Sequence, residues 1–133
     1  MIVVDASVLA NVLGDDGPDG TVARSEIRAA GALAAPDLVD VETVAVLRKR
    51  WLAGDLTVGR FRSAVEDLAD LEIDRYPTLG LMPRAFELRA NVTPYDAAYV
   101  ALAEALDAVL VTGDRRLQKA PGPRCEIKVI QAD

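Results

Sequence analysis

Residues 2–13 read IVVDASVLANVL, and the change of rhythm at Asp5 decides how the chain is built. Ile2, Val3 and Val4 are consecutive and β-branched, a pattern that suits a short strand buried on both faces. From Ser7 to Leu13 the apolar residues return at helical spacing instead. A strand that passes into a helix through a single acid is half of a β–α unit. The same passage recurs near the other end, where VLVT, residues 109–112, leads through Gly113 and Asp114 into a short helix over DRRLQKA.

The sequence between these units extends the pattern. GDDGPDG, 14–20, predicts a turn or loop on composition, and TVARSEIRAA a helix ended by Gly31. LAAP, 33–36, predicts a brief buried strand ended by its proline. From Asp37, DLVDVETVAVLRKRWLAGD predicts a helix with an acidic start, a basic last turn at Arg48, Lys49 and Arg50, and Gly54 as terminator. TVGRFRSAVEDLADL predicts another helix, EIDRY an edge strand before Pro77, LGLMPRAFELRAN and PYDAAYVALAEALDA two more helices, and IKVI, 127–130, the last strand. No repeat and no linker divides the chain, so residues 1–133 read as one domain able to bury a core. Short apolar strands alternating with helices predict an α/β fold with a parallel sheet and helices on both faces. The stretch 37–108 is nearly all helical.

Composition removes several chemistries. The chain has no histidine, which excludes a Ser-His-Asp triad, a Cys-His pair and the metal-free His-based ribonuclease mechanism. Hydrolysis must then rest on carboxylates, Lys, Tyr or a hard metal ion held by oxygen. The one cysteine, Cys125, forms no intrachain disulfide, as suits a reducing cytosol. No apolar stretch approaches the roughly 18 residues that span a bilayer, and the first residues lack a basic start, so a cytoplasmic protein is expected. With 15 Lys and Arg against 21 Asp and Glu the net charge is −6, which does not attract nucleic acid non-specifically. Twelve of those cations are Arg, suited to bidentate phosphate or carboxylate contacts. The few aromatic residues are scattered rather than clustered as a stacking platform.

Four carboxylates carry the functional reading. Asp5 and Asp114 each follow the carboxyl end of a predicted strand, where ligand sites form in open parallel sheets. Glu42 lies on its helix near Leu38, Ala45 and Val46, all within about 60° at 100° per residue, so it is expected to project from the inward stripe. Asp40, about 160° away from Glu42, is expected to face water. Asp96 stands in TPYD, a capping pattern with Pro94 at the first helical position. Each acid also has a plain structural role open to it: Asp5 and Asp114 as N-caps, Asp96 as charge at a helix N-terminus, Glu42 as a rim group or ion-pair partner. Jointly they project to one side of the sheet, where their repulsion would be relieved by divalent cations that prefer oxygen ligands.

IVVDASVLA, VETVAVLRK, TPYDAAYVALAEAL and LVTGDRRL together resemble the PIN-domain nuclease pattern, and more closely the VapC-like toxins of toxin–antitoxin pairs. The resemblance spans nearly the whole chain. It implies a three-layer α/β/α fold with a short central parallel sheet, an Mg²⁺- or Mn²⁺-dependent endoribonuclease, frequent homodimers and neutralisation by a cognate VapB-like antitoxin. Its acidic quartet carries over to Asp5, Glu42, Asp96 and Asp114 as catalytic and metal-binding residues. Ser7, Asn11 and Thr112 are candidate polar supports, and Arg115 and Arg116 candidate phosphate contacts. Water activated by the metal and attacking in line leaves 5′-phosphate and 3′-hydroxyl ends. The Arg48–Arg50 run is open to RNA backbone contact as well as to helix capping.

Three other assignments compete for these residues. A phosphorelay receiver needs five regular strand–helix units and a lysine near the last strand's end; the helical middle does not supply those strands, and no lysine lies just after VLVT. A haloacid-dehalogenase-like phosphatase needs an acid two residues after its nucleophile, where Ser7 stands. The remaining alternative is a catalytically silent module that binds a partner in an apolar groove, with its acids only capping helices.

Overall fold

Three β-branched residues suffice for the first strand because neighbours on both sides complete its hydrogen bonds. In the computed structural model, which describes residues 1–133, β1 (Ile2–Val4) pairs with β2 (Leu33–Pro36) on one side and β4 (Val109–Thr112) on the other. β3 (Asp74–Tyr76) and β5 (Ile127–Val129) complete a five-stranded parallel sheet in the order β3-β2-β1-β4-β5. The chain builds outward from β1 to β3, then returns to the other side of β1 for β4. Strand order therefore reverses between β1 and β4, and a crevice opens beyond their carboxyl ends. Val3, Val4, Ala34, Ala35, Leu110 and Val111 are fully buried, as strands covered on both faces require.

Seven helices flank the sheet in a three-layer α/β/α arrangement: α1 (Ala6–Gly14), α2 (Pro18–Ala30), α3 (Val39–Leu52), α4 (Val58–Asp70), α5 (Met82–Glu87), α6 (Pro94–Leu106) and α7 (Arg115–Lys119). α1 packs on α2, α3 and α4, while α6 lies on β1, β2 and β4 and is backed by α5. α6 is buried without a break from Ala97 to Val100 and on to Ala103. Its alanines let the backbone approach the sheet closely, and this seats the first turn of α6 beside the crevice. No helix is long and apolar enough to cross a membrane.

Two predicted segments differ from the structure. GDDGPDG is not all loop, because α2 already begins at Pro18. Proline at the first helical position needs no N–H partner, and Asp15 Oδ1 accepts from the Gly17 and Gly20 N–H groups at 2.7 and 3.3 Å. Gly20 has to be glycine here, since a Cβ would stand 1.8 Å from the Asp15 carbonyl oxygen. LGLMPRAFELRAN is not one helix. A 3₁₀ turn at Leu79–Leu81 precedes the six-residue α5, and Leu88 ends it with non-helical backbone.

Candidate active site

Asp5 leaves β1 and caps α1, its Oδ1 accepting from Val8 N–H at 3.1 Å and from Ser7 Oγ at 2.6 Å. Its Oδ2 accepts a short hydrogen bond from the Thr112 hydroxyl. Three donors surround a buried carboxylate and none of them is cationic. Burial pushes the Asp5 carboxyl above its usual range, and the hydrogen bonds oppose that rise only in part. Thr112 also accepts from Asp114 N–H at 3.0 Å, and Ser7 from Gly113 N–H at 3.1 Å. The β1–α1 and β4–α7 turns are thus tied together by two hydroxyls across the strand-order reversal.

Asp114 caps α7 through the Arg116 N–H at 2.8 Å and meets the Arg116 guanidinium at 3.3 Å. That guanidinium is 93% exposed, so the ion pair contributes little to stability. Asp96 sits in the first turn of α6, where the Thr93 hydroxyl caps its backbone N–H at 3.2 Å. Its half-buried carboxyl is raised by desolvation first, then by the charges of Asp5 and Asp114. Glu42, on α3, is likewise raised by desolvation first and then by Asp96 and Asp5. The four acids share one electrostatic environment. No Lys or Arg pairs with Asp5, Glu42 or Asp96. As the side chains stand, no three of them form a ready-made clasp for one ion.

Two expectations about α3 need correction. The stripe facing the core is Val39, Thr43 and Leu47, with Ala45 exposed and Glu42 half-buried at its edge. Glu42 precedes Thr43 by one residue, about 100° round the helix, which puts it on the rim instead of inside. There it accepts from the Tyr99 hydroxyl at 2.5 Å. Asp40 does not stand free in water either: Arg75, on the edge strand β3, pairs with it at 2.8 Å.

The other candidate supports diverge. Asn11 accepts from Arg50 Nη2 at 2.7 Å and lines a separate cleft of about 730 Å³ with Asp15, Asp16 and Arg60. The last basic turn of α3 therefore sends Arg50 to α1. Arg115 lies against the Gln131 amide. Asp96, Asp114 and Arg116 instead share a smaller cleft of about 250 Å³. Tyr99 was not among the sequence candidates. It stands three residues after Asp96, on the same face of an alanine-rich helix, and that spacing was the available signal. Burial and then the neighbouring Glu42 carboxylate hold its hydroxyl proton far above the ordinary range, so it remains a donor.

Strand order, crevice and acids agree with one family model, that of the PIN domain, which matches residues 2–123. The chain belongs to the PIN-domain family. Among curated relatives, this PIN domain is 44% identical over 130 residues to VapC ribonuclease Mb0985 of Mycobacterium bovis, covering 98% of each chain. This places it with the VapC-like members. Among solved structures it matches PAE2754 from Pyrobaculum aerophilum with a TM-score of 0.68 at 26% identity, over 96% of this chain and 83% of that one. It also shares the fold of VapBC2 from Rickettsia felis, solved bound to a promoter DNA fragment, with a TM-score of 0.69 at 13% identity, over 97% and 98% of the two chains.

Proposed function

We propose that this PIN domain is a metal-dependent endoribonuclease and the toxin of a toxin–antitoxin pair, acting in the cytoplasm. The observation that carries the reading is the set of Asp5, Glu42 and Asp96: all three carboxyls are raised by burial, Glu42 and Asp96 also by the charge of neighbouring acids, and no protein cation is paired to them. A fold tolerates such a set when a cation from outside completes it. All the donors are hard oxygens, which fits Mg²⁺ or Mn²⁺. The ribonuclease name of the 44% identical relative supports RNA as the substrate.

In this proposal Asp5 and Asp96 are the main ligands, with Glu42 and Asp114 completing the set. When bound, the ion supplies Lewis acidity to the scissile phosphate and makes a nearby water more acidic. The chain's own residues supply position. Ser7, Thr112 and the α1 N-terminus hold both oxygens of Asp5, and the Tyr99 hydroxyl holds one oxygen of Glu42. The mutual repulsion of these carboxylates would be offset by a cation held among them. Arg116, exposed beside Asp114, offers charge to a non-bridging phosphate oxygen. Attack by water yields a 5′-phosphate and a 3′-hydroxyl. The partners of this reading are an RNA substrate, a cognate VapB-like antitoxin and a second copy in a homodimer.

The silent-module reading draws on the capping bonds of Asp5 and Asp114, which account for those two acids without a metal. Calorimetry with Mn²⁺ separates the two. The nuclease reading expects heat from the wild type and none from Asp96→Asn, with 5′-phosphate ends on cut RNA. Absence of heat from both, or 2′,3′-cyclic phosphate ends, overturns it.

A further inference from the structure

Beside the acids, the small cleft has a lining of its own. Its floor is apolar, formed by the buried Val92 and Leu117, and its wall carries Asn91 and Thr93. The Asn91 side-chain amide makes no hydrogen bond within the chain and is exposed. Asn91, Val92 and Thr93 are also one wall of a second cleft of about 510 Å³, bounded on its far side by Phe86 and Arg89. Phe86 is 65% exposed. The Arg89 guanidinium lies over its ring at 4.1 Å and forms no ion pair. An exposed ring with an unpaired cation laid on it is a flat platform of the kind on which nucleobases stack. A free amide above an apolar floor is suited to a base edge.

We propose that the two clefts are consecutive nucleobase subsites for the single-stranded RNA, with one base read by Asn91 next to the acids and its neighbour stacked on Phe86–Arg89. The proposal rests on the nuclease reading and extends it to substrate selection. The occupant follows from continuity: Asp96 and Asp114 line the small cleft, which shares Asn91, Val92 and Thr93 with the larger one, so a strand whose phosphate lies at the acids runs along that shared wall. Arg116 at one end and Arg89 at the other supply positive charge in an acidic chain. Asn91 and Thr93 face the path with the groups that tell bases apart, whereas Phe86 accepts any base.

The test uses the wild type, Asn91→Ala, Phe86→Ala and Phe86→Trp with a fluorescent single-stranded RNA of random sequence and Mn²⁺. Phe86→Ala is expected to weaken binding, and to raise KM, about tenfold, with kcat and the Mn²⁺ heat unchanged. Phe86→Trp restores both values. Asn91→Ala is expected to flatten the base preference at one position next to the cut. Unchanged affinity and preference in both alanine variants overturn the subsites while cleavage by the wild type continues. A fall in sedimenting mass for Phe86→Ala, with affinity unchanged, assigns the platform to a protein contact and also overturns them. A wild type that binds the RNA without cutting it removes the nuclease reading alone, and the dissociation constants of the same variants still judge the subsites.

Discussion

Replacing Tyr99 by phenylalanine removes one oxygen from a ring that is only 2% exposed and leaves its packing intact. The lost interaction is a 2.5 Å hydrogen bond to a carboxylate on another helix. Hydrogen bonds to charged groups contribute about 1.5–3 kcal/mol, and the low end applies because half-buried Glu42 regains some water. Unfolding entropy of roughly 2.1 cal/mol/K per residue amounts to about 0.28 kcal/mol/K for this chain. A loss of about 1.5 kcal/mol therefore lowers Tm by about 5 °C. The assay is thermal unfolding of the metal-free protein at neutral pH, repeated in a Glu42→Gln background. There the neutral amide gives a weaker bond, and the same replacement costs less. The Tyr99 bond also lowers the Glu42 pKa, against the desolvation that raises it. Its removal lets that pKa climb, so the acidic limb of Mn²⁺ binding moves to higher pH. An unchanged Tm, or an equal drop in both backgrounds, refutes the assigned bond.

Other outcomes follow from the same geometry. Asp96→Asn should raise the stability of the metal-free protein by relieving repulsion from Asp5 and Asp114, while cleavage falls at least about a hundredfold; thermal unfolding and an RNA cleavage assay read the two effects. Thr112→Val should cost about 2 kcal/mol in urea unfolding, because buried Asp5 loses a donor and the Asp114 N–H an acceptor. For Asp5, Glu42 and Asp96 the folded state holds protons more tightly than the unfolded chain. Their stabilising contribution is therefore complete below the ordinary carboxylate range and is lost as pH rises through their raised folded values. The gain in Tm on adding Mn²⁺ should accordingly grow from about pH 5 to pH 7, and a gain that is flat or shrinks with pH contradicts the assignment.

Local rules account for much of what the sequence alone determined. A β-branched triplet, an acid and a helical rhythm define β1, Asp5 and α1 within a dozen residues, and the same grammar defines β4, Asp114 and α7. Thr93 caps α6 as its TPYD pattern requires. These features form between residues a few positions apart, so their signal survives in one dimension. Where the sequence reading failed, a longer-range partner or a backbone contact had decided. The wheel for α3 identified an apolar side but not its centre, which the core fixes at Val39, Thr43 and Leu47. Asp40 looked solvated until β3 brought Arg75 to it. Asn11, on the predicted helix next to the acids, is turned away by Arg50.

The bonds that orient the acids join residues far apart in the chain, Tyr99 to Glu42 and Thr112 to Asp5. Neither pairing leaves a spacing to read. Only the reversal of strand order between β1 and β4, with α6 laid across them, brings those hydroxyls to those carboxylates. Residue types and their local caps were legible because short-range geometry dictates them. The repulsion among the acids was expected from their strand-end and helix-start positions, but the hydroxyls that orient them were not, because those pairings depend on distances that the packed sheet and helices alone set.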